Sequence, residues 1–126
     1  MITGFADTNV LIELYRNRPA ANLWAAGQAD LAISAITWLE FIEGARGKAG
    51  QTRCQQIIAP FEIVLLEGSD QQWAMDRLLQ YRLSHGVSFK DCLIASVCHR
   101  LQVPVYTHNV KDFLVVLPAQ LVIKPY

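Results

Sequence analysis

"GFADTNVLIEL", Gly4 to Leu14, passes from one apolar stretch to another through Asp7, Thr8 and Asn9. A short strand over Ile2–Ala6 followed by a helix over Thr8–Tyr15 accounts for both stretches. Val10, Leu11, Leu14 and Tyr15 recur at helical spacing and form that helix's apolar stripe. Asp7 then stands at the carboxyl end of the first strand.

The same alternation continues. Pro19 suits the first position of a second helix, where its missing N–H costs nothing, and that helix carries Leu23, Trp24 and Ala25 toward Gly27. "LAIS" (Leu31–Ser34) reads as a strand, "ITWLEFIEGARG" as a helix punctuated by Gly44, Gly47 and Gly50, and "TRCQQII" as another helix stopping near Pro60. "FEIVLL" (Phe61–Leu66) is the clearest strand, rich in β-branched and large apolar residues between Pro60 and Gly68. Ser69 caps a helix over Asp70–Ser84 that ends at Gly86, and Ser88 starts the helix of "SFKDCLIASVCHRL". "VPVYT" is a strand, "NVKDF" a helical turn, and Leu121–Lys124 a last strand.

Strands separated by helices predict an α/β sandwich with a mostly parallel central sheet. Its ligand site belongs outside the carboxyl ends of the strands. There Asp7 meets Asp91, in the first turn of a helix, and Asn109 and Asp112, which follow the strand ending at Thr107.

With 126 residues and no repeats or linker, the chain reads as one domain over 1–126. Apolar residues make up 52%, enough for a core with some to spare for an oligomeric or partner surface. Eleven basic residues balance eleven acidic ones, so a polyanion must be met by a local patch rather than by overall charge. Cys54, Cys92 and Cys98 are odd in number and lack metal-ligand spacing, which suits buried thiols in a cytoplasmic protein. No charged leader precedes an apolar run at the start, and no run approaches a membrane span, so no membrane association is expected.

Each acid has a structural explanation beside the chemical one. Asp7 or Thr8 can cap the first helix. Glu40 follows Thr37 by three residues and Asp91 follows Ser88 by three, the spacing of a capping box. Asp112 and Asn109 suit a turn. Caps, however, need not meet, whereas this topology brings Asp7, Asp91 and the "NVKDF" turn to one edge. Crowded carboxylates repel and favour protonation unless a divalent cation joins them. Magnesium takes one or two carboxylates, several waters and a substrate phosphate, and such a site hydrolyses a phosphodiester without a covalent nucleophile.

With "ADTNVLIEL", "SAITWLEFIEG", "SFKDCLIAS" and "VYTHNVKDF" in this order, the chain resembles the PIN-domain ribonucleases, above all the VapC-type toxins of bacterial toxin–antitoxin pairs. "DTN" and "T-x-N-x-x-D-F" are its most specific pieces. The resemblance spans essentially the whole chain and implies a PIN-like three-layer sandwich with Mg2+- or Mn2+-dependent endoribonuclease activity. It implies Asp7 and Asp91 as metal ligands, with Glu40 orienting water or holding a second ion. Thr107 and Asn109 become supporting polar residues, joined by Thr8 and Asn9 of the first motif. The fourth acidic position falls at Asn109 in some PIN domains and three residues on in the toxins; here it is assigned to Asp112. A homodimer, an RNA substrate and a small antitoxin covering the active site are also implied.

Arg16 and Arg18, Lys90 and Lys111 flank the expected cleft and are candidate RNA contacts, whereas Arg46, Lys48 and Arg53 read more readily as a solvated helix end. His108, next to Asn109 on a strand, should face solvent, and Trp24, Trp38 and Trp73 suit core or dimer packing better than base stacking. Two alternatives stand beside the nuclease. A haloacid-dehalogenase-type phosphatase requires an aspartate where Asn9 stands, and a non-catalytic partner-binding module has no need of every matching acid.

Overall fold

Alternation along two short strands sets the layering. In β1 (Gly4–Ala6), Phe5 packs into one buried cluster and Ala6 into another; in β2 (Leu31–Ser34), Ala32 and Ile33 divide in the same way. The computed structural model describes residues 1–126. Its remaining strands are β3 (Glu62–Val64), β4 (Val105–Tyr106) and β5 (Val122–Ile123). All pairings are parallel, in the order β3-β2-β1-β4-β5.

Seven helices cover the sheet: α1 (Thr8–Tyr15), α2 (Pro19–Ala26), α3 (Ala35–Glu43), α4 (Gly47–Ile58), α5 (Gly68–His85), α6 (Phe89–Leu101) and α7 (Val110–Val116). One cluster joins Phe5, Ala32 and Val105 to Ile94 of α6 and Phe113 of α7. The other joins Ala6 and Ile33 to Leu11, Phe41 and Cys54 of α1, α3 and α4. The expected three-layer α/β sandwich is therefore present, and its sheet is wholly parallel. From central β1 the chain first builds outward through β2 and β3, then returns to add β4 and β5 on the other side. The order reverses between β1 and β4, and in open parallel sheets ligands bind beyond the carboxyl ends of the strands at such a point. Asp7 and Thr107 follow those two strands.

Helix α1, strand β2 and the Ser88-capped start of α6 lie where the sequence places them, and Pro19 opens α2. Other boundaries differ for physical reasons. Ser34, not Thr37, caps α3: its hydroxyl accepts the Thr37 N–H at 3.2 Å, so no Thr37–Glu40 capping box forms and Glu40 is left for other contacts. Helix α4 starts early, at Gly47, and encloses the buried Gly50, where a Cβ would stand 3.4 Å from the Tyr15 hydroxyl.

Helix α5 is capped by Glu67 rather than Ser69. Its box partner Asp70, almost wholly buried, accepts the Glu67 N–H and is held by Arg100 at 3.0 Å. Helix α5 ends as expected at Gly86, whose φ of 70° a side chain would resist. Only Glu62–Val64 of "FEIVLL" pairs, because β2 opposite it ends at Ser34, against Val64, and turns into α3; β3 is an edge strand with Ile63 exposed. "NVKDF" extends into a full helix, α7. Cys54, Cys92 and Cys98 are buried free thiols, and no helix is long and apolar enough to cross a membrane.

Candidate active site

Asp7 is both a helix cap and the centre of a polar network. It is 5% exposed, and its Oδ1 accepts the Thr8 N–H at 2.8 Å. Its Oδ2 accepts the Thr107 hydroxyl at 2.7 Å and the Asn9 amide at 3.2 Å. The same Thr107 oxygen, fully buried, accepts the Asn109 N–H at 2.9 Å, and Asn9 accepts the His108 N–H. Asn109 then donates its side-chain amide to Asp91 Oδ2 at 3.1 Å. A continuous path thus runs from Asp7 through Thr107 and Asn109 to Asp91, joining the ends of β1 and β4 to the first turn of α6.

Glu40 enters from α3. The Thr8 hydroxyl donates to its Oε1 at 3.0 Å, and the Lys90 ammonium stands 3.7 Å from its Oε2. Asp112, half-buried in the first turn of α7, makes no hydrogen bond to the other acids but lies close enough for its charge to act on Asp91. Residues of the four separate motifs are therefore linked at one end of the sheet, with Asn109 hydrogen-bonded to Asp91, Thr8 to Glu40, and Asp112 acting on Asp91 through space.

Burial pushes the Asp91 carboxyl up to about 6, helped by the charges of Asp7, Asp112 and Glu40; the hydrogen bond with Ser88 opposes the shift. Asp7 is raised as well. Burial again dominates, the Thr107 and Thr8 hydrogen bonds oppose it, Glu40 raises it further and His108 counteracts. The crevice carries more negative charge than its own donors neutralise.

That imbalance is what a divalent cation would relieve, and the donors are hard oxygens. Asp7 Oδ1 receives only the Thr8 N–H, and the Asn109 amide engages only Oδ2 of Asp91, so each carboxylate keeps a lone pair for an ion. The expectation of several carboxylates crowded around one point needs correcting, since no three acidic, histidine or cysteine side chains are gathered closely enough to cage an ion. Thr107, Asn109 and Lys90 hold the acids separately by hydrogen bonds and charge. This arrangement fits an ion that takes one or two carboxylates and fills its shell with water and substrate oxygen.

The basic residues divide. Lys90 is tied to Glu40, Arg18 pairs with Glu13 at 3.3 Å, and Arg53 donates to the Tyr15 carbonyl. Arg16 lines a cavity of about 360 Å3 with Thr8, Glu40, Tyr15 and Phe41. Arg46 lines it too, exposed at the start of α4 as a solvated helix end should be, and the α3–α4 turn brings it there. Lys111 is exposed on α7.

His108 also departs from expectation. It lies past the end of β4, where strand alternation no longer applies; it packs against Tyr126 with ring centroids 4.7 Å apart, and its Nε2 is buried without a partner. Trp24 and Trp38 pack on the smaller core cluster and Trp73 on the larger. Asn9, where a phosphatase would carry its second aspartate, is instead bound into the Asp7–Thr107 network.

Comparison with known proteins agrees with this fold. The PIN domain pattern matches residues 5–115. Among solved structures, a toxin–antitoxin complex from Klebsiella pneumoniae is similar at 28% identity and a TM-score of 0.75, covering 98% of each chain. A DNA-bound VapBC from Salmonella typhimurium has a TM-score of 0.78 at 21% identity, covering 98% of each chain. A Mycobacterium tuberculosis VapC described as a sarcin–ricin-loop-cleaving toxin has a TM-score of 0.72 at 15% identity, covering 92% of this chain and 97% of that one. No curated protein matches. The family match takes in every candidate acid from Asp7 to Asp112, and the chain belongs to the PIN domain family.

Proposed function

We propose that this PIN domain is a metal-dependent endoribonuclease, the toxin of a toxin–antitoxin pair. The observation that carries the reading is the hydrogen-bonded path from Asp7 through Thr107 and Asn109 to Asp91, which links residues from three separate motifs. The similarity to the Klebsiella pneumoniae toxin–antitoxin complex supports the second half of the reading.

Asp7 and Asp91 would hold Mg2+ or Mn2+, which supplies positive charge to the phosphoryl oxygens and lowers the pKa of water. Thr107 and Asn109 keep the two carboxylates turned toward the crevice. Glu40 Oε1, already accepting from Thr8, orients the attacking water and takes its proton. As the water oxygen bonds to phosphorus, the P–O bond to the leaving ribose oxygen breaks and that oxygen takes a proton from solvent. Asp112 adds charge that strengthens the hold on the cation. An antitoxin segment bearing a basic side chain would satisfy the same negative crevice and close it to RNA.

A homodimer suits the outer face of α5. Met75, Leu79 and Leu83 lie four residues apart and are 64%, 87% and 100% exposed. A two-fold axis through Leu79 sets Met75 against the second copy's Leu83 and Asp76 against its Arg82, the self-complementarity a symmetric interface requires.

Purified protein incubated with structured RNA and with a phosphomonoester, each with Mg2+, Mn2+ or chelator, tests the activity. Metal-dependent RNA cleavage that vanishes in Asp7→Asn is expected. Phosphate release from the monoester would instead indicate a phosphatase, and inactivity toward both a binding module.

A further inference from the structure

We infer that the cavity between α1, α3 and α4 is a nucleotide subsite, which holds an unpaired nucleotide next to the one being cut. The inference rests on the ribonuclease reading above. The cavity shares Thr8 and Glu40 with the active site, so RNA crossing the carboxylates at Glu40 meets it directly. Its volume of about 360 Å3 lies within the ordinary range for small-ligand sites.

Its lining has two parts. Ile12, Tyr15, Phe41 and Ala45 form an apolar wall, and Arg16 and Arg46 supply the cations. The wall is held in place. Phe41 meets the Tyr15 ring edge-on at 6.4 Å, while the Arg53 guanidinium covers that ring at 5.0 Å and bonds the Tyr15 carbonyl at 2.6 Å.

Unlike Arg53, Arg16 and Arg46 are uncommitted. Arg18, Arg53, Arg77, Arg82, Lys90 and Arg100 all have protein partners. The side chains of Arg16 and Arg46 have no hydrogen bond or ion pair, and both are exposed at the same cavity. In a chain with no net charge and an acidic catalytic crevice, free cations beside that crevice are what an incoming polyanion requires. An apolar and aromatic wall flanked by phosphate-binding cations is the composition of a single-strand site, since only an unpaired base can leave its stack to occupy the pocket.

The test uses the full chain carrying Asp7→Asn, so that RNA is bound and not cut, with a labelled single-stranded oligoribonucleotide of mixed sequence and a duplex of the same length as probes. Arg16→Ala and Arg46→Ala should each weaken single-strand binding about five-fold, and should each reduce the slope of log Kd against log salt by about 0.7. Ala45→Trp fills the cavity and should weaken single-strand binding without changing that slope. Circular dichroism confirms that each variant is folded. The duplex should bind with little preference between Ala45→Trp and its parent.

Unchanged single-strand affinity in all three variants overturns the subsite and leaves the cavity to a protein segment. Should the unsubstituted enzyme cut RNA while these variants bind normally, the subsite alone has failed. If that enzyme cuts no RNA with either metal, the failure lies with the ribonuclease reading.

Discussion

Thr107 donates its hydroxyl to Asp7 Oδ2 at 2.7 Å, a contact between residues 100 positions apart that fixes the orientation of the most buried acid in the crevice. The same oxygen accepts the Asn109 N–H, so this one side chain aligns the loops after β1 and β4. Replacing it with valine keeps the shape and removes both bonds, along with the one the Asn9 amide donates to the same oxygen. Thr107→Val should lower stability by about 1–3 kcal/mol in chemical denaturation and reduce RNA cleavage, and Thr107→Ser should restore most of both. Full activity in the valine variant would show that Asp7 needs no such support.

Asp91 is charged against its surroundings in the metal-free protein. Asp91→Asn keeps the shape and removes the repulsion from Asp7, Asp112 and Glu40. Allowing for screening at a partly exposed site, the variant should gain about 1–2 kcal/mol at neutral pH without metal, while cleavage is lost. Glu43→Gln, on the exposed side of α3, should change neither. A large loss of thermal stability in Asp91→Asn would make this residue a structural one first.

The pH dependence follows from the same shift. A carboxylate raised from its ordinary value to about 6 takes up a proton on folding, so the stability it contributes is full at low pH and is lost as pH rises through about 6. The advantage of Asp91→Asn over the parent should therefore be absent near pH 4, grow through about pH 6 and stay level above it. Cleavage should run the opposite way, falling as pH drops, because a proton then competes with the cation for Asp91, and raising the metal concentration should move the fall to lower pH. A stability difference that is flat from pH 4 to 8 would contradict the repulsion.

The stripe of Met75, Leu79 and Leu83 on α5 gives a further prediction. Leu79→Glu places two like charges at the two-fold axis and should convert a dimer to a monomer in sedimentation, with the fold unchanged. A dimer that survives this change must use another face.

The first motif was legible because a carboxylate between a strand and a helix is read from local pattern alone, and β1 to α1 formed as the pattern required. Errors arose where two local signals competed. Thr37 and Glu40 have capping-box spacing, yet Ser34 stands one turn earlier at the strand end and takes the cap, which leaves Glu40 to Thr8 and Lys90. Ser69 lost its cap to Glu67 because buried Asp70 is anchored by Arg100, 30 positions away, a pairing no local rule supplies. "FEIVLL" paired over only three residues because its neighbour β2 ends at Ser34, where α3 begins, and leaves nothing beyond Val64 to pair with. His108 was misplaced because tertiary packing sets its surroundings.

Binding of Mn2+ followed by electron paramagnetic resonance bears most directly on the central claim that Asp7 and Asp91 share one ion. The parent should bind the ion, and Asp7→Asn and Asp91→Asn should each lose that same site while remaining folded. Undiminished Mn2+ binding in either variant would mean that the two carboxylates do not hold a common cation.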